Sequence, residues 1–296
     1  MFADLHVHTC FSDGTYSPEE VVGHAKRLGL VALSVTDHDT VEGCARAAAA
    51  CQAAGLEFIT GVELTAEQEE SEIHILGYFI DPQHPQLLAE LAHFQTVRQN
   101  RIYQMVAKLN ALGVPLRPEV VFSLANCQCP GRPHVARALV AQRLCGDLDE
   151  AFERFLKRGK PAWVPKFKIS AHRAIQLIHQ AGGLAVLAHP GLNYNDDVIP
   201  SLVEAGLDGM ECFHTKHSTA MTERYLELAE QYQLVVTGGS DCHGTSKGPP
   251  LLGTIKLPYT HVEALKTRWA ERVAQRGFLL AQADPSASST HQTPST

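Results

Sequence analysis

Short apolar runs recur along this chain, and run after run ends in His, Asp or Glu: His6 and His8, Asp37-His38, Glu63, His74, His189, then Asp241 and His243. On a strand, residues two apart point to the same side, so His6 and His8 would aim two imidazoles at one point. One such pair is a weak signal. Its repetition at about six strand ends restricts the fold to one that gathers strand termini in one place.

The segments between the runs carry helix signals. Ser17-Pro18-Glu19-Glu20 predicts a helix start, with Ser as N-cap, Pro in the first turn and acids at the positive end of the dipole. Gly29 closes that helix. Val31 to Thr36 is nearly continuous in apolar residues, as a buried parallel strand requires. A helix is predicted from Val41 to Ala54 with Gly55 as its stop, then strands at Phe58–Val62 and Ile73–Phe79. From about 86 to 160 the chain reads as helices broken by Pro115, Pro118, Pro130 and Pro133, a helical insertion. Alternation resumes with a helix at Ala171–Ala181, a strand at Leu184–Ala188, a helix closing near Gly206, a strand at Asp208–Phe213 and a helix at Thr219–Gln233. A last strand is predicted at Leu234–Thr237 and a last helix at His261–Gln275. The Ser/Thr/Pro-rich residues 283–296 predict a disordered tail. The expected organisation is therefore a barrel domain over 1–85 and 161–282, interrupted by the insertion 86–160. Repeated βα units imply an α/β fold with a parallel sheet. Ligands spread over many strand ends favour a closed barrel over an open sheet, whose site lies at one switch point.

Composition excludes several classes. No apolar run reaches the roughly 18 residues of a membrane span, and no signal-like segment opens the chain, which predicts a cytoplasmic protein. Eight Cys in no disulfide or zinc-ribbon spacing read as reduced thiols. A net charge of -7 excludes a broad basic surface for long duplex DNA. It leaves room for a phosphate substrate, because bound divalent ions dominate the local charge of a site.

Seven segments together resemble the polymerase and histidinol phosphatase (PHP) family of metal-dependent phosphoesterases. They are Asp4-Leu-His6-Val-His8, Ser12-Asp13-Gly14, Thr36-Asp37-His38-Asp39, Gly61-Val-Glu63, His74-Ile-Leu-Gly77, Ala188-His189-Pro190 and Gly239-Ser-Asp241-Cys-His243, in the expected order. The resemblance implies a distorted (β/α)7 barrel with two or three metal ions at its C-terminal mouth. Carried over, His6, His8, Glu63 and Asp241 would hold one ion. Glu63 would bridge to a second with His74 and His189, and Asp13, His38 and His243 would hold a third. Asp13 stands where some members have His. Imidazole and carboxylate ligation without thiolate suits Mn²⁺, Fe²⁺ or Zn²⁺, and the phosphatase branch of the family implies Mn²⁺.

Within the insertion, Gly131-Arg132-Pro133-His134 resembles the Arg-x-His element of nucleotide-processing members, which implies substrate-phosphate contacts from Arg132 and His134. His217, in His217-Ser218, is a candidate general acid for the leaving group or a phosphate donor. Asp37 and Asp39 read either as carboxylates that orient ligand imidazoles or as caps of the next helix. The stretch Lys157 to Lys168, with Trp163 and Phe167 interleaved, reads either as a second phosphate or base contact or as a solvated loop. The insertion's placement resembles the branch of 3′,5′-nucleoside bisphosphate phosphatases and RNase AM-like proteins. That implies removal of the 3′-phosphate from pAp to give AMP by attack of a metal-bound hydroxide, with 5′–3′ trimming of short RNA as a companion activity. The implied substrate is a small nucleotide or short oligonucleotide. The alternatives are a histidinol-phosphate phosphatase, a non-catalytic metal-binding PHP module, or an amidohydrolase with its own HxH strand.

Overall fold

The structure is a computed structural model that describes residues 1–69, 71–192, 196–245 and 248–283. Seven principal strands carry the barrel: β1 (Phe2–Val7), β2 (Leu30–Val35), β3 (Glu57–Gln68), β4 (Ser71–Tyr78), β6 (Leu184–Leu187), β7 (Gly209–His214) and β8 (Val235–Gly239). Two-residue strands β5 (Ile169–Ser170) and β9 (Leu257–Pro258) add to its edges and were not expected. The order is β8-β7-β6-β4-β3-β2-β1-β9, with β5 beside β3. The ring nearly closes where Val7 bridges Cys242. There the His8 amide donates to Cys242 O at 2.9 Å and the Asp241 amide to His6 O at 2.9 Å. The expected distorted (β/α)7 barrel is the fold.

The local signals explain the helices. In α1 (Pro18–Arg27), Ser17 and Glu20 form a capping box. α2 (Cys44–Ala54) stops at Gly55, whose φ of 70° suits glycine. It starts three residues later than expected. Residues 41–43 stay in a turn because Gly43 sits against the site loop: a Cβ there would lie 3.0 Å from Asp37 Oδ2.

The expectation of a wholly parallel sheet fails at β4, which runs antiparallel to both β3 and β6. A tight hairpin joins β3 to β4, with Gln68 opposite Ser71, so no helix separates them. His74 therefore lies in the middle of its strand, paired with Thr65, and not at the end of an apolar run. Reversal of the strand is what brings it to the same mouth as the other site residues.

After β4 come α3 (Pro85–Ala111), α4 (Pro118–Ala125), α5 (Arg132–Ala141), α6 (Leu148–Ala151) and a π-helical turn at Phe152–Leu156. The first half of α3 packs Leu87, Leu91 and Phe94 against the barrel's outer core, into which α7 (Ala171–Gln180) also packs. Its second half joins a separate core with Val121, Val135, Leu139, Phe155 and Val164. Among the described residues the remaining α-helices are α8 (Ile199–Glu204), α9 (Thr219–Gln231) and α10 (Tyr259–Ala283). α10 runs longer at both ends than expected. The rest of the predicted tail lies outside the described residues. No described helix is long and apolar enough to cross a membrane.

Candidate metal centre

All nine expected metal-binding side chains converge at one end of the barrel. Glu63, fully buried on β3, lies at the middle of the group. Its Oε1 is 2.8 Å from His74 Nδ1, 3.1 Å from His189 Nε2 and 3.5 Å from His6 Nε2. Its Oε2 is 2.8 Å from His38 Nδ1 and 3.3 Å from His8 Nε2. Asp241 Oδ1 lies 3.1 Å from His8 Nε2, and Asp13 Oδ1 3.1 Å from His243 Nε2. Among the described residues, four sets of donor atoms close within 4.8 Å: His8, Asp13, His38 and His243; His6, His8 and Asp241; His6, Glu63 and His189; His38, Glu63 and His74. The sets overlap as a multinuclear centre would. They differ in detail from the expected partition, because His38 also faces Glu63, His6 also joins His189, and His8 also joins Asp13, His38 and His243.

The donor chemistry fits divalent ions. Glu63 Oε2 and His38 Nδ1 are buried and close, yet neither makes a hydrogen bond. His6 Nδ1 contacts Glu211 Oε1 at 3.0 Å, which places the ring proton there and turns the Nε2 lone pair inward. His8 Nε2 faces that atom at 3.2 Å. Lone pairs that point at a common centre are what a cation satisfies.

Electrostatics agree. Burial opposes charge on Glu63, but His38, His74 and His6 outweigh it and hold the carboxyl well below its ordinary range. Burial likewise opposes charge on His74, yet the adjacent Glu63 lifts it to about 9. At His38 burial wins and lowers the ring to about 3. A ligand imidazole must be neutral, so His74 must release a proton when an ion binds. Divalent-ion binding at pH 7.5 is therefore expected to release about one proton or more per protein. Calorimetry in buffers of different ionisation enthalpy measures this, and zero release would contradict a protonated His74.

The backbone is bent to deliver these groups. His189 and Asp241 have φ of 27° and 52°, left-handed values uncommon outside glycine, and Asp39 has 52°. Gly239 lets β8 meet β1: a Cβ there would come within 2.3 Å of His6 Cβ. Asp4 fastens the same seam by accepting from the Ser240 amide at 2.9 Å and the Gly253 amide at 3.2 Å.

Asp37 and Asp39 both support the site. Asp37 accepts from the Thr9 amide at 2.7 Å and from the hydroxyls of Thr9 and Ser12, shaping the loop that carries Asp13. Asp39 accepts from the Thr65 amide at 2.9 Å and from buried Arg98 of α3. Sequence reasoning missed Asp4, Glu211, Arg98 and His214. Glu211 lies on β7 and also accepts from the His189 amide at 2.8 Å, so it fixes two of the expected metal-binding residues.

Beside the metal centre lies a cavity of about 240 Å³, lined by Asp13, His38 and His74 together with Arg98, Arg101, Arg132 and Lys166, the last paired with Glu72 at 3.4 Å, and by Phe152 and Pro133 as apolar surface. Burial, then the nearby Arg132 and Arg98, lowers Arg101 to about 10. Such crowding of like charge suits an anion. Lys166, from the stretch left open in the sequence, faces the cavity. His134 does not line it. It is buried, and its Nδ1 accepts from the Gly131 amide at 3.0 Å at the start of α5. His217 is engaged on both nitrogens: Nδ1 donates to Cys212 O at 2.9 Å, and Nε2 accepts from the Gly191 amide at 3.2 Å. Neither nitrogen is left to serve as an acid in this arrangement.

A nearly closed barrel with clustered His, Asp and Glu donors at its mouth and a cationic cavity alongside is the architecture of a metal-dependent phosphoesterase, a hydrolase of phosphate esters. The chain belongs to the PHP domain family, whose pattern matches residues 4–280. It is 36% identical over 249 residues to a 5′-3′ exoribonuclease of Haemophilus influenzae, covering 81% of this chain and 89% of that one. It is 34% identical over 254 residues to a 3′,5′-nucleoside bisphosphate phosphatase of Chromobacterium violaceum, covering 83% and 88%. The crystal structure of a protein assigned as a metal-dependent phosphoesterase from Bifidobacterium adolescentis superposes with a TM-score of 0.83 at 33% identity, covering 90% of this chain and 96% of that one.

Proposed function

We propose that this chain removes the 3′-phosphate of 3′,5′-nucleoside bisphosphates such as pAp, and acts on the ends of short RNA, as a Mn²⁺-dependent cytoplasmic enzyme. One observation carries the substrate reading: a single cavity joins the metal-site residues Asp13, His38 and His74 to Arg101, Arg132 and Lys166. A substrate with two phosphates fits such a wall. One phosphate meets the metal centre and the other the cations, while the sugar or base rests on Phe152 and Pro133. The small cavity and the acidic net charge favour a nucleotide or short strand over long duplex. Eight free thiols suit a reducing compartment.

His6, His8, Asp13, His38, Glu63, His74, His189, Asp241 and His243 would hold the ions. Bound divalent ions would lower the pKa of water and neutralise charge on the phosphoryl oxygens. The chain's own residues do the rest. Glu211 holds His6 in one tautomer, Asp37 orders the Asp13 loop, and Arg101, Arg132 and Lys166 fix the distal phosphate. The helical segment 86–160 supplies two of those three cations, so it is the part that reads the substrate.

The test is phosphate release from pAp by metal-stripped protein resupplied with Mn²⁺, with product identification. AMP formed only with Mn²⁺ is the expected result. Turnover of histidinol phosphate but not pAp would move the chain to the other phosphatase branch. Arg132→Ala is expected to raise KM for pAp by roughly 10- to 100-fold, the loss of one charge-assisted contact, and to leave KM for p-nitrophenyl phosphate nearly unchanged. Equal effects on both substrates would show that Arg132 does not read the second phosphate.

A further inference from the structure

His214 ends β7 inside the barrel mouth, 3% exposed. The Lys216 amide donates to its Nδ1 at 3.1 Å. The neutral ring therefore carries its proton on Nε2, and that atom is buried with no hydrogen-bond partner. It points at Asp241, with Oδ2 at 3.7 Å. A buried donor left unmatched is costly, so its target should lie where it aims.

The target's other oxygen belongs to the metal centre. Asp241 Oδ1 lies 3.1 Å from His8 Nε2 and 3.6 Å from His6 Nε2. A carboxylate at the rim can rotate and present either oxygen, or both. Asp241 is the more open of the carboxylates facing His6 and His8: its side chain is 21% exposed, against 1% for Glu63. A donor on Oδ2 would remove that freedom and commit Oδ1 to the ion. A protonated Nε2 also makes His214 a poor ligand itself, which separates it from the neighbouring histidines.

We propose that His214 is a positioning residue: its Nε2–H holds Asp241 Oδ2 and thereby orients Oδ1 toward the metal shared with His6 and His8. The role differs from that of Glu211, which fixes the ligand His6 from behind, and from that of His217, whose nitrogens both serve the backbone. The inference rests on the metal-centre reading above.

The experiment is a double-mutant cycle of His214→Leu and Asp241→Asn, read as Mn²⁺ affinity of stripped full-length protein by chelator competition, with metal stoichiometry by elemental analysis. His214→Leu is expected to weaken one ion by 10- to 100-fold and leave the others unchanged. It should have no further effect in the Asp241→Asn background. His214→Gln, which keeps a side-chain N–H donor, should recover most of the affinity. If His214→Leu does not fold, His214→Phe, which keeps a ring of similar volume, takes its place. Wild-type affinity in the variant, or an equal loss in both backgrounds, would overturn the proposal. Failure of the wild-type protein itself to bind divalent ions would instead overturn the metal-centre reading.

Discussion

Glu63→Gln is expected to lose at least one bound ion and to drop turnover by roughly 10³-fold or more, about 4 kcal/mol of transition-state stabilisation. The size follows from position. Glu63 sets both oxygens among five imidazoles, at 2.8 Å from His74 and from His38, 3.1 Å from His189, 3.3 Å from His8 and 3.5 Å from His6. Gln keeps the shape, removes the charge and turns one ligand oxygen into an N–H donor. Two of the four donor sets contain Glu63, so more than one ion feels the change. Elemental analysis together with kcat decides the matter. Full metal content with more than a tenth of wild-type turnover would remove Glu63 from the centre.

The second large effect is on stability. Arg98 and Asp39 form an ion pair with side chains only 10% and 5% exposed. Arg98→Ala strands the Asp39 carboxylate among buried groups, which typically costs 3–5 kcal/mol. The double variant Arg98→Met with Asp39→Leu should recover much of that loss, because apolar replacement of both partners removes the unpaired charge. Urea unfolding of the metal-free proteins measures both. A cost below about 1 kcal/mol for Arg98→Ala would mean that water reaches the pair. The same variant should also raise KM for pAp, since Arg98 lines the cavity between the barrel and the insertion.

How much of this was legible depended on the distance over which each residue acts. His6 and His8, or Asp241 and His243, announce themselves because two ligands two residues apart need only a local turn of backbone. Ser17, Pro18 and Gly55 were equally local, and the helix ends they mark came out as read. Glu211 and His214 carry no local signal: what each does is set by His6 and Asp241, which folding brings to them from elsewhere in the chain. The reversal of β4 was hidden for another reason. Gln68-Glu69-Glu70-Ser71 lacks the Asn-Gly or Asp-Gly signature of a tight hairpin, and Glu69 takes up a φ of 49° without being glycine. Arg98 carries no local signal because its partner, the buried Asp39, lies far from it in sequence, and the Lys157 to Lys168 stretch stayed open because Glu72, which pairs with Lys166, is equally distant.

The reversed strand also sets the length of a helix. β4 passes the site at His74 and ends at the opposite rim, where Tyr78 pairs with Leu184 at the start of β6. The chain thus leaves the barrel at its far end, and α3 must climb back along the outside. Thirteen residues separate Pro85 from Arg98, a rise of about 20 Å, close to the height of a six-residue strand. α3 is a measuring rod cut to the barrel. Each residue added or removed below Arg98 would shift the cationic wall by about 1.5 Å and swing it by about 100° around the rod. The gap between the metal centre and the Arg98–Arg101 pair is therefore adjustable only in whole turns, and a relative that spaces these groups differently should show insertions of three, four or seven residues there.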